Sequence, residues 1–246
     1  MSGQGDLGLT LDQRYQLVSM LGIGTSGAVY RGRDLQENRR VAVKLLHRDM
    51  LTSEEAVARF FREIGAAERI EHPGVVGFYG AGMASDGRPY IVQEFLYGED
   101  MEEALATGRL QLPQIFEISL QLLDALNAVH AAGLVHRDVK PENVFLFFDE
   151  FGGIRVKLVD FGIAKARSEI STTLPGRVKG KHAYMSPEQC QGLELDGRSD
   201  IFSVGIVMYE LITWTRLFKR QNDLDTLKAI TSGAVRPPRD LNPALD

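Results

Sequence analysis

Hydrophobic and polar positions over roughly the first ninety-five residues follow two periods. Tyr15-Gln16-Leu17-Val18-Ser19-Met20-Leu21 alternates as a half-buried strand does. Ala28-Val29-Tyr30 resumes β-forming residues after a glycine cluster, and residues 41–46 and 90–95 are two further β-rich runs. Between them, Ser53-Glu54-Glu55 carries the signature of a helix N-cap followed by acids in the first turn, and Val57, Phe60, Phe61 and Ile64 recur at helical spacing. This predicts a small sheet with one principal helix.

The second part of the chain is mostly helical in pattern. Leu112-Pro113 opens a run in which Ile115, Ile118, Leu122, Leu123, Leu126 and Val129 mark one apolar face, and Gly133 supplies the stop. Residues 144–148 and 154–159 read as a hairpin joined by Asp149-Glu150-Phe151-Gly152-Gly153. Residues 200–213 form a strongly apolar helix expected to be a buried axis, with a shorter helix over 224–230. The change of character near residues 95–98 places a boundary between an N-terminal part, 1–95, and a C-terminal part, 96–246, in an α+β chain. A crevice between two such parts is a favoured ligand site.

Composition narrows the function classes. With 246 residues, 44% hydrophobic and 25% charged, the chain is globular rather than disordered. A net charge of −5 and a pI near 5.6 argue against binding nucleic acid or an anionic membrane through bulk charge. One cysteine, Cys190, and scattered histidines at 47, 72, 130, 136 and 182 exclude an internal disulfide and offer no zinc-ligand spacing. The lone thiol fits a reducing cytoplasm. Met1-Ser2-Gly3-Gln4-Gly5-Asp6 has no signal-peptide character, and the longest apolar stretch, residues 201–211, is too short to span a bilayer. No membrane contact by this segment is expected; an anchor beyond residue 246 stays open.

Candidate chemistry begins at Leu21-Gly22-Ile23-Gly24-Thr25-Ser26-Gly27-Ala28-Val29, which contains G-x-G-x-x-G-x-V. Glycines there let backbone N–H groups approach phosphate oxygens. A dinucleotide-binding turn is the rival, since a strand precedes the glycines and Asp49 follows Gly27 by 22 residues. Its crossover helix would have to be residues 28–40, where Gly32 and Asn38 interrupt and apolar periodicity is weak; a strand–turn–strand flap fits better. Val41-Ala42-Val43-Lys44 then places a lysine on a strand, whose plain reading is exposure to solvent. Glu63, 19 residues on, changes that reading, because an ion pair could hold Lys44 over nucleotide phosphates. Glu54 and Glu68 are other acids of the same helix, and Glu63 is preferred as the inward-facing one.

His136-Arg137-Asp138-Val139-Lys140-Pro141-Glu142-Asn143 supplies an acid able to accept a hydroxyl proton, a lysine two residues on and an amide able to ligate a hard cation. Asp160-Phe161-Gly162 follows 22 residues after Asp138, beyond the hairpin, with a second metal-ligating acid. From Leu9 to its end, with its motifs in order, the chain resembles the protein kinase family, specifically the bacterial eukaryotic-like Ser/Thr kinases.

The resemblance implies a two-lobed kinase-like fold: a small antiparallel β-sheet N-lobe with one main helix, and a larger, mostly helical C-lobe. It implies transfer of the γ-phosphoryl group of ATP to Ser/Thr hydroxyls of protein substrates with Mg²⁺, or Mn²⁺ in its place. Asp138 would orient and deprotonate the hydroxyl, Lys140 steady the phosphoryl group, Asn143 and Asp160 hold the cation, and Lys44, paired with Glu63, grip the α- and β-phosphates. Leu21, Gly22, Ile23, Gly24, Thr25, Ser26 and Gly27 would cover ATP. Val29, Ala42 and Phe145 would sandwich adenine, and the Glu94 carbonyl and Leu96 backbone would hydrogen-bond it, with Gln93 as gatekeeper. His136, Phe161, Ala67 and Phe78 would stack as a spine, with plain core packing as their other reading. Ser186-Pro187-Glu188 resembles the motif that closes the activation segment, and Asp200 the aspartate that ties down the catalytic loop. Lysine at 140 points to Ser/Thr rather than Tyr acceptors.

Lys181 stands where the family usually has Thr, facing either the active site or solvent. Arg137 is a candidate receiver for phosphate on Ser171, Thr172 or Thr173, in a segment with five basic residues (Lys165, Arg167, Arg177, Lys179, Lys181) against Glu169. Against the family pattern the chain looks roughly 30 residues short, and Glu188 is expected to lie buried without its arginine. Two other functions remain on the sequence alone: a pseudokinase scaffold and a small-molecule phosphotransferase.

Overall fold

The period-two alternation of the first part folds as an antiparallel sheet. The computed structural model describes residues 3–24, 26–48, 53–108, 110–161 and 182–245. The chain divides into two units, one of Met1–Glu71 and Val76–Tyr97, the other of His72–Val75 and the described chain from Gly98 onward. In the first unit the elements are β1 (Thr10–Leu11), β2 (Tyr15–Ile23), β3 (Gly27–Asp34), β4 (Arg39–Leu46), α1 (Glu54–Ala67), β5 (Phe78–Met83) and β6 (Pro89–Glu94). Among the described residues six strands join in the order β1-β2-β3-β4-β6-β5, every pair antiparallel. Residues 28–40 are therefore two strands and a turn, and the dinucleotide-binding alternative fails for want of its crossover helix.

Register gives this sheet two distinct faces. Tyr30, Val41, Val43, Leu45, Tyr90 and Val92 point to one side, where they form a core with Leu11, Tyr15 and Leu17. Directly opposed residues share a face, so the pairs Val29↔Lys44 and Arg31↔Ala42, and then Ile91 and Gln93 on β6, lie on the other side. Asp34 ends β3 fully buried on the core side. Arg14 donates to it through Nε (2.8 Å) and Nη2 (2.7 Å), and the amides of Gln36 and Glu37 donate to the same carboxylate, closing the β3–β4 turn. The Arg14 hydrogen bonds hold the Asp34 carboxyl down at about 2. α1 starts as expected, Ser53 Oγ accepting from the Ala56 amide, and buries Phe60, Ile64 and Ala67. Phe61, expected on that face, is 37% exposed and meets Phe60 edge-on, because one residue is a turn of 100° around the helix.

The second unit holds β7 (Glu99–Asp100), α2 (Met101–Thr107), α3 (Leu112–Ala131), β8 (Val144–Phe148), β9 (Ile154–Leu158), α4 (Pro187–Gln191), α5 (Gly197–Thr213) and α6 (Asp223–Ser232). The hairpin register runs from Val144↔Leu158 to Phe148↔Ile154, and Asp149 closes its loop by accepting from the amides of Phe151 and Gly153. The outer edge of β9 is covered by side-chain and loop groups. Gln121 of α3 donates to the Ile154 carbonyl (2.9 Å) and accepts from the Val156 amide (3.0 Å), while the Gly74 carbonyl takes the Leu158 amide. α5 begins three residues earlier than the apolar pattern predicts, because Asp196 caps it through the Arg198 amide. Among the described residues no helix is long and apolar enough to cross a membrane.

The expectation of a buried, unpartnered Glu188 does not hold. Glu188 in α4 is half-buried rather than buried, and its carboxylate accepts a hydrogen bond from the Ser199 hydroxyl. Burial pushes its pKa up, but the hydrogen bonds from Ser199, from its own backbone amide and from Ser186 together outweigh it, and the carboxyl ends below its ordinary value. Glu188 is thus not a buried charge lacking a partner.

The Asp34 site yields an acid-stability prediction. Its folded pKa lies below the ordinary 3.8, so its contribution is complete above that value and disappears as pH falls through about 2. At pH 7 the contribution is about 2 kcal/mol. Urea unfolding should show Asp34→Asn destabilised by that order at pH 7, with the gap to the parent closing as pH is lowered from 4 towards 2.

Candidate active site

The segment from His136 to Asn143 is built around a buried aspartate on another element. Asp200, 1% exposed in the first turn of α5, accepts from the His136 amide (2.8 Å), the Arg137 amide (2.8 Å) and His130 Nε2 (2.8 Å). Arg137 sits at φ +66°, a left-handed conformation that L-residues hold only when their surroundings fix it. Here the Asp200 carboxylate fixes its amide and Gln189 Nε2 donates to its carbonyl (2.8 Å).

The clamped backbone aims the side chains that follow. His136, fully buried, accepts from the Asp138 amide at Nδ1 (3.3 Å), which leaves Nε2–H to donate to the Val159 carbonyl (3.0 Å). Its ring lies 4.9 Å from that of Phe161. The Val159 amide in turn donates to the Asn143 carbonyl (2.9 Å), so the residue before Asp160 is held from both sides. Asp160 then adopts φ +57°.

Within this loop three predicted residues converge. Asn143 Nδ2 donates to the Asp138 carbonyl (2.7 Å) and to Asp138 Oδ2 (3.0 Å), and Lys140 Nζ stands 3.6 Å from the same carboxylate oxygen. Two acceptors facing the amide force its nitrogen towards them and turn Oδ1 away, although Asn143 is only 4% exposed. An amide oxygen so directed and the Asp160 carboxylate are a donor pair suited to a hard cation that takes its other ligands from phosphates and water. Among the described residues there is no cluster of three His, Cys, Asp or Glu suited to a metal held by protein alone.

In the first unit the face opposite the core carries Val29, Ala42 and Lys44, all half-buried, with Gln93 8% exposed beside them. Glu63 is half-buried whereas Glu54 and Glu68 are exposed. The glycines of the flap differ in what the fold asks of them. At Gly27, φ +155°, a Cβ would lie 2.1 Å from the Leu45 carbonyl oxygen, so the chain itself requires glycine. A Cβ on Gly22 would touch nothing within 4 Å, and one on Gly24 only the Gly27 carbonyl at 3.7 Å. Those two leave open, Cβ-free backbone of the kind that phosphate oxygens can approach.

Leu21 and Ile23 are exposed on β2, Ser26 is half-buried, and Glu94 binds the Gly77 amide through Oε2 (3.3 Å) while its own amide donates to the Gly77 carbonyl (2.8 Å). Leu96 and Phe145 are half-buried, Ala67 is buried and Phe78 half-buried. Thr25, Lys181, Ser171, Thr172, Thr173, Gly162 and the basic cluster lie outside the described residues. Sequence reasoning missed His130 and Gln189. The first is an ordinary last-turn residue of α3 and the second an ordinary third residue of α4, and neither carries a local signal of its long-range bond.

A family model described as protein kinase domain matches residues 15–242. The chain belongs to the protein kinase domain family. This kinase domain is 39% identical over 243 residues to a probable serine/threonine-protein kinase of Clostridium acetobutylicum, covering 96% of this chain and 35% of that protein. It is 36% identical over 250 residues to MasK of Myxococcus xanthus, named a tyrosine-protein kinase, covering 94% of this chain and 38% of that one. The solved PknI kinase domain of Mycobacterium tuberculosis superposes with a TM-score of 0.73 at 28% identity, covering 97% of this chain and 85% of that one. The kinase domain spans 30 to 56% of the length of curated relatives it matches. Proteins of this family generally use ATP and Mg²⁺.

Two stability outcomes follow from this geometry. Asp200→Ala should cost about 3 kcal/mol or more in urea unfolding, since it strips buried amides and a histidine of a charged acceptor. Thermal melting should separate the flap glycines: Gly27→Ala lowers Tm, whereas Gly22→Ala and Gly24→Ala leave it within a degree or so, each degree being worth a few tenths of a kcal/mol at most.

Proposed function

We propose that this kinase domain transfers the γ-phosphoryl group of ATP to serine or threonine hydroxyls of protein substrates. The observation that carries the reading is the convergence of Lys140 and Asn143 on one carboxylate oxygen of Asp138, in a loop fixed by Asp200. Asp138 accepts the acceptor hydroxyl's proton and orients its oxygen for in-line attack. Lys140, beside that carboxylate, steadies the phosphoryl group during transfer. Asn143 Oδ1 and the Asp160 carboxylate hold the divalent cation. Held there, the cation would supply positive charge that offsets the negative charge of the transferring phosphates. Lys44, with Glu63, grips the α- and β-phosphates from the open face of the sheet, under the flap of residues 21–27. Val29, Ala42 and Phe145 enclose adenine, and the Glu94 carbonyl and Leu96 backbone hydrogen-bond it, beside the Gln93 gatekeeper.

Lysine at 140 favours Ser/Thr acceptors, while the relative named a tyrosine-protein kinase favours tyrosine, so phosphoamino-acid analysis of the product decides between them. A pseudokinase role has no lost motif residue to support it, since Lys44, Asp138, Asn143 and Asp160 are all present. Ser171, Thr172 or Thr173 is the autophosphorylation site in this reading, and the working compartment is the cytoplasm. The test is transfer of labelled phosphate from ATP to a generic basic protein, with an aminoglycoside as the rival acceptor. Asp138→Asn should reduce turnover by about 10²–10⁴-fold with KM for ATP little changed. Transfer to the aminoglycoside but not to protein would replace this reading.

A further inference from the structure

The face of the first unit's sheet opposite the core carries more positive charge than the nucleotide reading uses, and carries it at its exposed end. Beyond Val29 and Ala42, the register puts Arg31 and Arg33 of β3 and Arg40 of β4 on that face, Arg33 and Arg40 directly opposed. All three are exposed. Among the described residues none of them pairs with a carboxylate. Arg33 donates through Nε and Nη2 to Asn38 Oδ1 (3.2 and 2.5 Å), and Arg40 donates to the Tyr97 hydroxyl and lies over its ring at 5.8 Å. These partners are neutral, so they orient the guanidinium groups without cancelling their charge. The other described arginines of the β2–β4 ribbon are used differently: Arg14 and Arg39 flank Asp34 on the core side. Gln16 and Ser19 face Arg33 and Arg31 across β2, and with Val29, Ala42, Lys44, Ile91 and Gln93 they complete a face that contains no acid at its paired positions.

Like charges directly opposed across two strands repel, and a bound anion relieves that repulsion. Arg31 and Arg33 are two residues apart on one strand, about 6.8 Å, which is also the spacing of alternate side chains in an extended peptide. Guanidinium groups bind carboxylates bidentately. A row of such groups at strand spacing suits carboxylates arrayed along a chain better than a single focal ion. We propose that Arg31, Arg33 and Arg40 form a docking surface for an extended acidic segment of the protein substrate, with Glu or Asp at alternate positions. The substrate role rests on the kinase reading; the binding itself does not.

The probe is a fluorescein-labelled decapeptide of alternating Glu and Gly, followed by anisotropy against the kinase domain in low salt. Saturable binding that weakens at least tenfold in Arg31→Gln/Arg33→Gln/Arg40→Gln, with unchanged melting temperature, is expected. The same weakening should appear on raising the salt concentration. In the transfer assay an acceptor carrying the Glu-Gly segment should have a KM at least fivefold below that of the same acceptor carrying Lys-Gly. The triple variant should erase that difference while kcat and KM for ATP stay put. Equal binding by parent and variant, equal binding of the Lys-Gly peptide, or tighter binding of a phosphoserine peptide or an oligonucleotide of equal charge would overturn the proposal. Absence of transfer to any acceptor would overturn the kinase reading and the substrate role, while the anisotropy result would still decide the site.

Discussion

One buried carboxylate organises the chemistry of the second unit. Asp200 lies in the first turn of α5, where the helix dipole favours negative charge, and it gathers two consecutive backbone amides and an imidazole from distant parts of the chain. An ionised acceptor with three donors in a dry setting is worth more than the same bonds in water, and removing it would strand all three. The left-handed turn at Arg137 is held by this interaction, and the turn delivers His136 inward and Asp138 towards the loop's far end. His136 then passes the constraint to Val159, and Asn143 meets Val159 from the other side, so that the backbone leading to Asp160 is set by the same clamp. A helix chosen for its apolar length thus carries, at its start, the group that positions the loop.

In the first unit the comparable constraint is register. Tight antiparallel pairing of β3 with β4 decides that Val41, Val43 and Leu45 enter the core and that Ala42 and Lys44 do not. A one-residue slip would bury the lysine and expose the valines, so the apolar residues fix the address of the charged one. Gly27 belongs to this constraint, since its contact with the Leu45 backbone lets β3 start close against β4. Gly22 and Gly24 do not, and their lack of a folding reason is what sets them apart as ligand-facing.

Much of this was legible in the sequence because the signals were local. Ser53 caps its helix, residues 144–158 form the expected hairpin, and Gly133 ends α3 at φ +75°. The loop motif placed Asp138, Lys140 and Asn143 together because five residues of chain cannot separate them far. What escaped had no local signal. β5 reads Phe-Tyr-Gly-Ala-Gly-Met, without β-branched residues, and forms because β6 offers a paired edge. α2 is seven residues long and owes its start to Asp100 accepting from the Glu103 amide. Family analogy leaves Glu188 without a partner, yet a serine eleven residues along supplies a hydrogen bond that no spacing rule predicts. The Arg14–Asp34 pair likewise joins residues that only the β2–β3 turn brings together.

Charge shows the same limit in another form. A net charge of −5 is a sum over the chain, and it argues against attraction to polyanions by the whole surface. It is blind to where the cations stand. Arg31-Gly32-Arg33-Asp34 reads as a mixed run with an acid at its end, but alternation sends Asp34 into the core, where Arg14 neutralises it, and sends Arg31 and Arg33 outward together. The strand's period sorts the charges by sign onto opposite faces. Pairing with β4 then adds Arg40 to the positive side. An acidic protein acquires a positive stripe by the same alternation that builds its core, and no feature of the sequence beyond that alternation is needed to produce it.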